Sequence, residues 1–388
     1  MCTSCYKHNY QIESRGFIML SNEMVIKAID EQAKSVKTRS LDISFNELLD
    51  MYNNQELVID PDYQRMFRWS DEKQSMFIES LILEMPLPPI FVIEREGGIY
   101  ELIDGLQRIS TYLHFRYKDI DEGIRKDFCS DRIKEELSLT GCDIVEELND
   151  YTFDDLPRAI QLKLKRNFIR MEVLRQETDT NLRYHMFKRL NTGGELLSNQ
   201  EVRNCTIRLL GNSFNNFIIE CSEYEYFKKA IANVREDYVV TKKDQELVLR
   251  YFALKNNLEN YKKDLDFFLT DYMEKVTTGE MPFDYSKEKE VFEKTFKYIY
   301  DLNGKNAFSS VINLEDNKFK TDIIMYFYDS FTCGIAQCAD ILETKSVAKM
   351  KKSLNSLRKN KDFLKTRTGG KRNTEERIAL VEDVIRNC

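Results

Sequence analysis

The sequence predicts an α+β chain, with a small mixed sheet and its helices first and an all-helical part after it. Three observations carry that prediction. Up to about residue 207, apolar residues switch between strand and helix spacing, whereas beyond it the runs keep helix spacing and Pro occurs only at Pro282. The third is size: 388 residues, 42% hydrophobic with 20 Tyr and 24 Phe, suffice for two cores.

Taken in order, residues 1–38 read as a leader, partly disordered or carrying a short helix around Glu23–Ala33. Ser44 followed by Glu47 is a capping-box pattern opening an amphipathic helix. Leu57-Val58-Ile59 is a short strand ended by Asp60-Pro61-Asp62. Ser70 caps a helix with acids in its first turn and an apolar face of Met76, Phe77, Leu81 and Met85, stopped by Pro86. Ile90–Ile93 and Tyr100–Ile103 form a hairpin around Glu94-Arg95-Glu96-Gly97-Gly98. Asp119–Asp155 is acidic and irregular, an insertion or lid with short helices. A helix starts at Asp155-Leu156-Pro157, and Phe168–Leu174 alternates as the last strand. Helix returns over Asp179–Leu190, is broken by Asn191-Thr192-Gly193-Gly194, and Ser198 caps the next one. Seven helices are then predicted: Phe214–Asn233, Thr241–Asn256, Lys262–Lys275, Tyr285–Leu302, Thr321–Ser330, Ala336–Leu357 and Thr374–Arg386. The domain reading is 1–38 leader, 39–207 mixed domain, 208–388 helical domain with a basic C-terminal segment.

No apolar run reaches the ~18 residues that a membrane span needs, so a cytoplasmic protein without a membrane partner is expected. Nine scattered cysteines read as reduced thiols. Cys2-Thr3-Ser4-Cys5-Tyr6-Lys7-His8 resembles half a zinc site, but no second ligand pair stands at matching spacing and no metal site is expected. Net charge is −7, yet Lys349–Arg377 holds eleven basic residues against three acidic ones. That local excess is either a footprint for polyanions or an ordinary solvated helix face.

The candidate site lies at Asp104-Gly105-Leu106-Gln107-Arg108. Strand spacing ends at Asp104, and Leu106, Ile109 and Leu113 begin helical spacing, so Gly105 marks a tight strand-to-helix turn. Such a turn offers bare N–H groups, a Gly that a ligand can approach closely, and Gln107 and Arg108 to clamp a phosphate. The alternative is that Arg108 merely pairs with Asp104 and holds the turn. Arg65 and Arg68, beside the only tryptophan, Trp69, add charge and a stacking surface, though Trp69 also suits a core. Asn191-Thr192-Gly193 suits wrapping a phosphate or capping a helix. Thr368-Gly369-Gly370-Lys371-Arg372 is a second Gly-basic loop, where Arg367, Lys371 and Arg372 suit a phosphate backbone.

Asp104–Arg108 resembles the Asp-Gly-Gln-Gln-Arg signature of the GmrSD-type restriction endonuclease N-terminal domain family, related to the ParB/sulfiredoxin fold. Tyr63–Ser70, Leu81–Ile90, Phe187–Gly194, Leu197-Ser198 and Glu201–Asn204 resemble its other motifs in order. Leu106 departs from it, standing where the family usually has Gln. The resemblance implies a ParB-like domain that binds and hydrolyses a nucleoside triphosphate, with or without Mg2+, in a prokaryotic DNA restriction or anti-phage defence system. Asp104, Gln107 and Arg108 would then be catalytic; Tyr63, Arg65, Gly105, Arg108, Asn191, Thr192 and Gly193 would hold the nucleotide. Longer members carry an HNH nuclease at the C-terminal end. With three histidines and none after His185, residues 208–388 lack the general base of that chemistry. DNA cleavage therefore falls to the N-terminal domain or to a separate nuclease subunit; an oligomer is left open. The rival readings are a non-catalytic nucleotide- or DNA-sensing module and a direct nickase.

Overall fold

The computed structural model describes residues 22–60, 67–128, 133, 135–175, 178, 180–191, 198–233, 241–313 and 318–388. Its architecture is α+β. Helix α1 (Asn22–Ser35) precedes strand β1 (Thr38–Ser44), which runs into α2 (Phe45–Asn53) and β2 (Leu57–Val58). Helix α3 (Asp71–Ile82), β3 (Ile90–Glu94), β4 (Tyr100–Asp104), α4 (Leu106–Phe115), α5 (Glu122–Phe128), α6 (Arg158–Arg166) and β5 (Phe168–Leu174) follow. The five strands make one mixed sheet in the order β1-β5-β3-β4-β2. β3 runs antiparallel to β4 and parallel to β5. β1 pairs antiparallel with β5, Thr38 opposite Leu174 and Ser44 opposite Phe168.

Ser44 and Ser70 cap α2 and α3 by accepting from the Glu47 and Lys73 amides, as their spacing predicts. Against the sheet lie Leu48 of α2, Ile78 and Leu81 of α3, and Ile109 and Leu113 of α4, all essentially without exposure. Several expectations need correction here. Met76 and Met85 point outward; the buried face of α3 is Phe77, Ile78, Leu81 and Ile82, with Gln74, Ser75 and Glu79 buried among them. β1 was not predicted, because an exposed edge strand shows only Leu41 and Ile43 as its apolar alternation. The acidic stretch Asp119–Asp155 is no lid: Ile120, Phe128, Ile133, Leu137, Leu139 and Phe153 are buried in the same core. Glu79 holds it down by accepting from the Ile144 and Val145 amides.

Two further helices, α7 (Thr180–Asn191) and α8 (Asn199–Ile207), lead to the second part. That part contains α9 (Ser213–Ser222), α10 (Glu225–Ala230), α11 (Lys243–Asn257), α12 (Leu265–Thr278) and α13 (Tyr285–Asn303). After a short ribbon of β6 (Val311–Asn313) and β7 (Lys318–Phe319) come α14 (Met325–Ala336), α15 (Val347–Leu357), α16 (Lys361–Lys365) and α17 (Lys371–Arg386). The ribbon departs from the all-helical expectation; strands of two and three residues are too short to leave a period in the sequence. The predicted helix over Ala336–Leu357 is broken before α15, and that over Phe214–Asn233 divides into α9 and α10. The hydrophobic core also divides, Cys205 belonging to the first cluster and Ile207 to the second. In the second core α14 crosses α17 at Gly334, where a Cβ would meet Val381 Cγ1 at 2.6 Å, so only glycine permits the approach.

Candidate functional site

β4 ends at Asp104 and α4 starts at Leu106, with Gly105 between them at φ +104°. A Cβ on Gly105 would lie 2.4 Å from Ile90 Cγ2. Gly105 is buried, and its missing side chain makes room for Ile90; that side of the turn is filled, not open to a ligand as the sequence suggests. No side chain caps α4.

Arg108 turns back over the strand end. Its Nη2 donates to Asp104 Oδ2 at 3.0 Å and to the Pro89 carbonyl at 3.1 Å. Its Nε–H is buried and has no hydrogen-bond acceptor among the described residues. The guanidinium therefore holds the turn and still keeps one desolvated donor in reserve. Gln107 Oε1 accepts from the Arg68 and Trp69 amides at 2.9 and 3.2 Å, tying the loop before α3 onto the first turn of α4. Trp69 packs on the N-terminal core with its ring edge-on to Phe77.

Arg68 in turn pairs with Glu201 of α8. Glu201 also completes the capping box of that helix, accepting from the Ser198 amide while Ser198 Oγ accepts from Glu201 N–H. Two bonded sets thus meet on the first turn of α4, Pro89–Arg108–Asp104 and, from the adjacent Gln107, Arg68–Glu201. These come from the four separate sequence stretches singled out above. Ser198 as the cap was visible in sequence; that Glu201 would close the box and also neutralise Arg68 was not, because 133 residues separate Arg68 from Glu201.

The chain continues into the helical part. Arg203 Nη2 donates to Glu246 of α11 at 3.0 Å, its Nη1 lies 3.7 Å from Asp266 of α12, and burial pushes its pKa down. Asn204 Nδ2 donates to Gln245 Oε1, and Arg208 pairs with Asp60. α8 is buried from Gln200 to Ile207, so the residues beside the turn are anchored in both parts.

Tyr63, Arg65, Thr192 and Gly193 lie outside the described residues, and Asn191 ends α7 with its side chain outside them. His114 is structural: its two ring nitrogens lie 2.8 Å from Gln74 Oε1 and from the Glu135 carbonyl, and burial lowers its pKa. His185 is exposed. Among the described residues no group of His, Cys, Asp and Glu is placed to hold a metal ion. Pro89 also borders an open groove of about 1120 Å³, where Lys163, Arg166 and Arg170 face Asp42, Glu84 and Glu172. Balanced charge leaves that groove without a preference for anions.

At the second Gly-basic loop, Gly370 precedes α17, Lys371 donates to the Glu259 carbonyl, and Arg372 pairs with Glu376. Arg367 is exposed.

Residues 45–208 match the GmrSD restriction endonuclease, N-terminal domain. This part of the chain is similar to that family. The match spans the sheet, the Asp104–Arg108 turn and α8, and stops where the second core begins. No curated protein and no solved structure matches the chain. The match to the GmrSD N-terminal domain suggests a component of a restriction or defence system. Among the described residues no helix is long and apolar enough to cross a membrane.

Proposed function

We propose that the GmrSD-type domain is a ParB-like nucleotide-binding component of a prokaryotic DNA restriction or anti-phage system. Binding and hydrolysis of a nucleoside triphosphate at the Asp104–Arg108 turn would license action on DNA by this chain or by a separate nuclease subunit. The observation that carries this reading is the convergence of four motif stretches on an uncapped helix start beside Arg108, whose buried Nε–H has no acceptor among the described residues. An anionic oxygen there would satisfy that donor and the first-turn amides together. Asp104 is the nearby carboxylate that Mg2+ carried on the phosphates would meet. Self-association stays compatible with this arrangement.

A second reading, binding without turnover, is favoured by the work that the signature side chains already do. Gln107 accepts from two amides, Asp104 holds Arg108, and Leu106 is a core residue. Direct nicking by this domain has no such support.

The test is phosphate release and equilibrium binding over a panel of ribonucleotides and deoxyribonucleotides, comparing wild type with Arg108→Ala and Arg108→Lys of unchanged melting temperature. Release by wild type that falls at least tenfold in both variants supports hydrolysis. Binding lost in Arg108→Ala without turnover in either protein supports the sensor. Wild type that binds no nucleotide overturns both.

A further inference from the structure

Outside the family match, the helical part carries a basic face with no task in the fold. Between Glu343 and Asp362 the sequence contains no acidic residue. α15 buries Met350, Leu354 and Leu357 and turns Lys349, Lys352 and Lys359 to the other side, with Lys359 just past its end. The side chains of these three lysines are exposed and make no hydrogen bond or ion pair among the described residues. Ten residues at ~1.5 Å each separate Lys349 from Lys359, a line of about 15 Å. Beyond it Lys361, Lys365 and Arg367 border an open hollow of about 430 Å³.

Not all of the basic segment is surface. Arg358 is swallowed by the core, donating to the Ser309 and Ala307 carbonyls and lying over the rings of Phe327 and Phe331; burial pushes its pKa down to about 9. Arg377 is buried too, donating to the carbonyls of Thr366 and Thr368. What remains outside is a row of lysines with Arg367 and Arg372.

We propose that the face of α15 bearing Lys349, Lys352 and Lys359, continued by Lys361 and Arg367, is a sequence-independent track for the phosphate backbone of duplex DNA. A row of hydrated ammonium groups suits repeated phosphates, each contact releasing a condensed counterion. A protein partner is disfavoured, since interface centres are depleted in Lys and built on aromatic or Arg anchors. Val347 alone among large apolar side chains of α15 is exposed, too little for a helix that lies in a bilayer surface. On a chain of net charge −7 the row is a localised feature rather than a general coating. The choice of DNA rests on the defence reading above; the charge and exposure of the face do not.

The experiment measures anisotropy of a labelled random-sequence 30-base-pair duplex with the full chain over a salt series. The variant is Lys349→Gln/Lys352→Gln/Lys359→Gln, whose melting temperature is expected to match wild type. With about 0.9 counterions released per phosphate contact, the slope of log K against log salt should shrink by roughly 3 in the triple variant. An unchanged slope and affinity overturn the track, as does wild-type protein that ignores DNA while binding phosphatidylserine vesicles or an acidic peptide. Nucleotide binding separates this result from the previous proposal: the triple variant should retain it, and Arg108→Ala should retain the DNA slope.

Discussion

Two helices of this molecule begin alike and end up in different worlds. α4 starts Gly105-Leu106-Gln107-Arg108 and α17 starts Gly370-Lys371-Arg372; both glycines have positive φ, and neither helix has a side-chain cap. At α4 the glycine abuts Ile90, the arginine folds onto Asp104 and Pro89, and Gln107 and Arg68 pass the connection to Glu201. At α17 a Cβ on Gly370 would find only the Lys262 carbonyl, 3.9 Å away, and the Arg372 side chain is 90% exposed with one partner on its own helix. A similar Gly–Arg helix start thus yields a locked charge in one place and a solvated one in the other. A buried guanidinium can act on a ligand with little screening, whereas an exposed one contributes a long-range attraction that salt removes.

The comparison can be broken most sharply at its lock. Glu201→Ala removes the carboxylate that pairs with Arg68 and the capping box together, so urea denaturation should show a loss of about 3–5 kcal/mol. Glu201→Gln should lose less, because the cap survives. Next comes the pair of glycines. Gly105→Ala combines a left-handed residue with a clash against Ile90 and should cost roughly 2–5 kcal/mol. Gly370→Ala meets backbone strain alone, of order 1–3 kcal/mol. Ile90→Ala should relieve part of the first cost and none of the second; equal costs for the two glycines, or no relief, would refute the distinction.

A smaller effect should appear with pH. His114 has a lowered pKa in the fold, so the unfolded chain binds its proton first. Stability from this residue is present above its ordinary value near 6.5 and declines as pH falls through it. In His114→Gln that segment of the stability–pH curve should flatten, read from melting temperatures between pH 5 and 8. The smallest effect is Arg372→Ala, expected within about 0.5 kcal/mol of wild type. A cost as large as that of Glu201→Ala would mean that the two helix starts are not different after all.

Much of the architecture was legible in the residues. The serine caps at Ser44, Ser70 and Ser198 are local devices, bonding to amides three positions on, and all three stand where predicted. The β3–β4 hairpin and the alternating β5 were legible for the same reason: each shows its own period over enough residues. β1, the β6–β7 ribbon and the buried role of Asp119–Asp155 were not, since an edge strand, a two-residue strand and an irregular segment carry no period.

By itself the sequence determined where strands turn into helices, which serines start them, and that Asp104–Arg108 forms a strand-to-helix turn. Tertiary structure alone decided that Ile90 would require Gly105, that Glu201 would reach Arg68 across 133 residues, and that Arg358 and Arg377 would leave the surface while Lys349, Lys352 and Lys359 stayed on it. The reason is range. Capping and periodicity act over three or four residues, whereas burial of a charge depends on neighbours that the chain brings together only after it has folded.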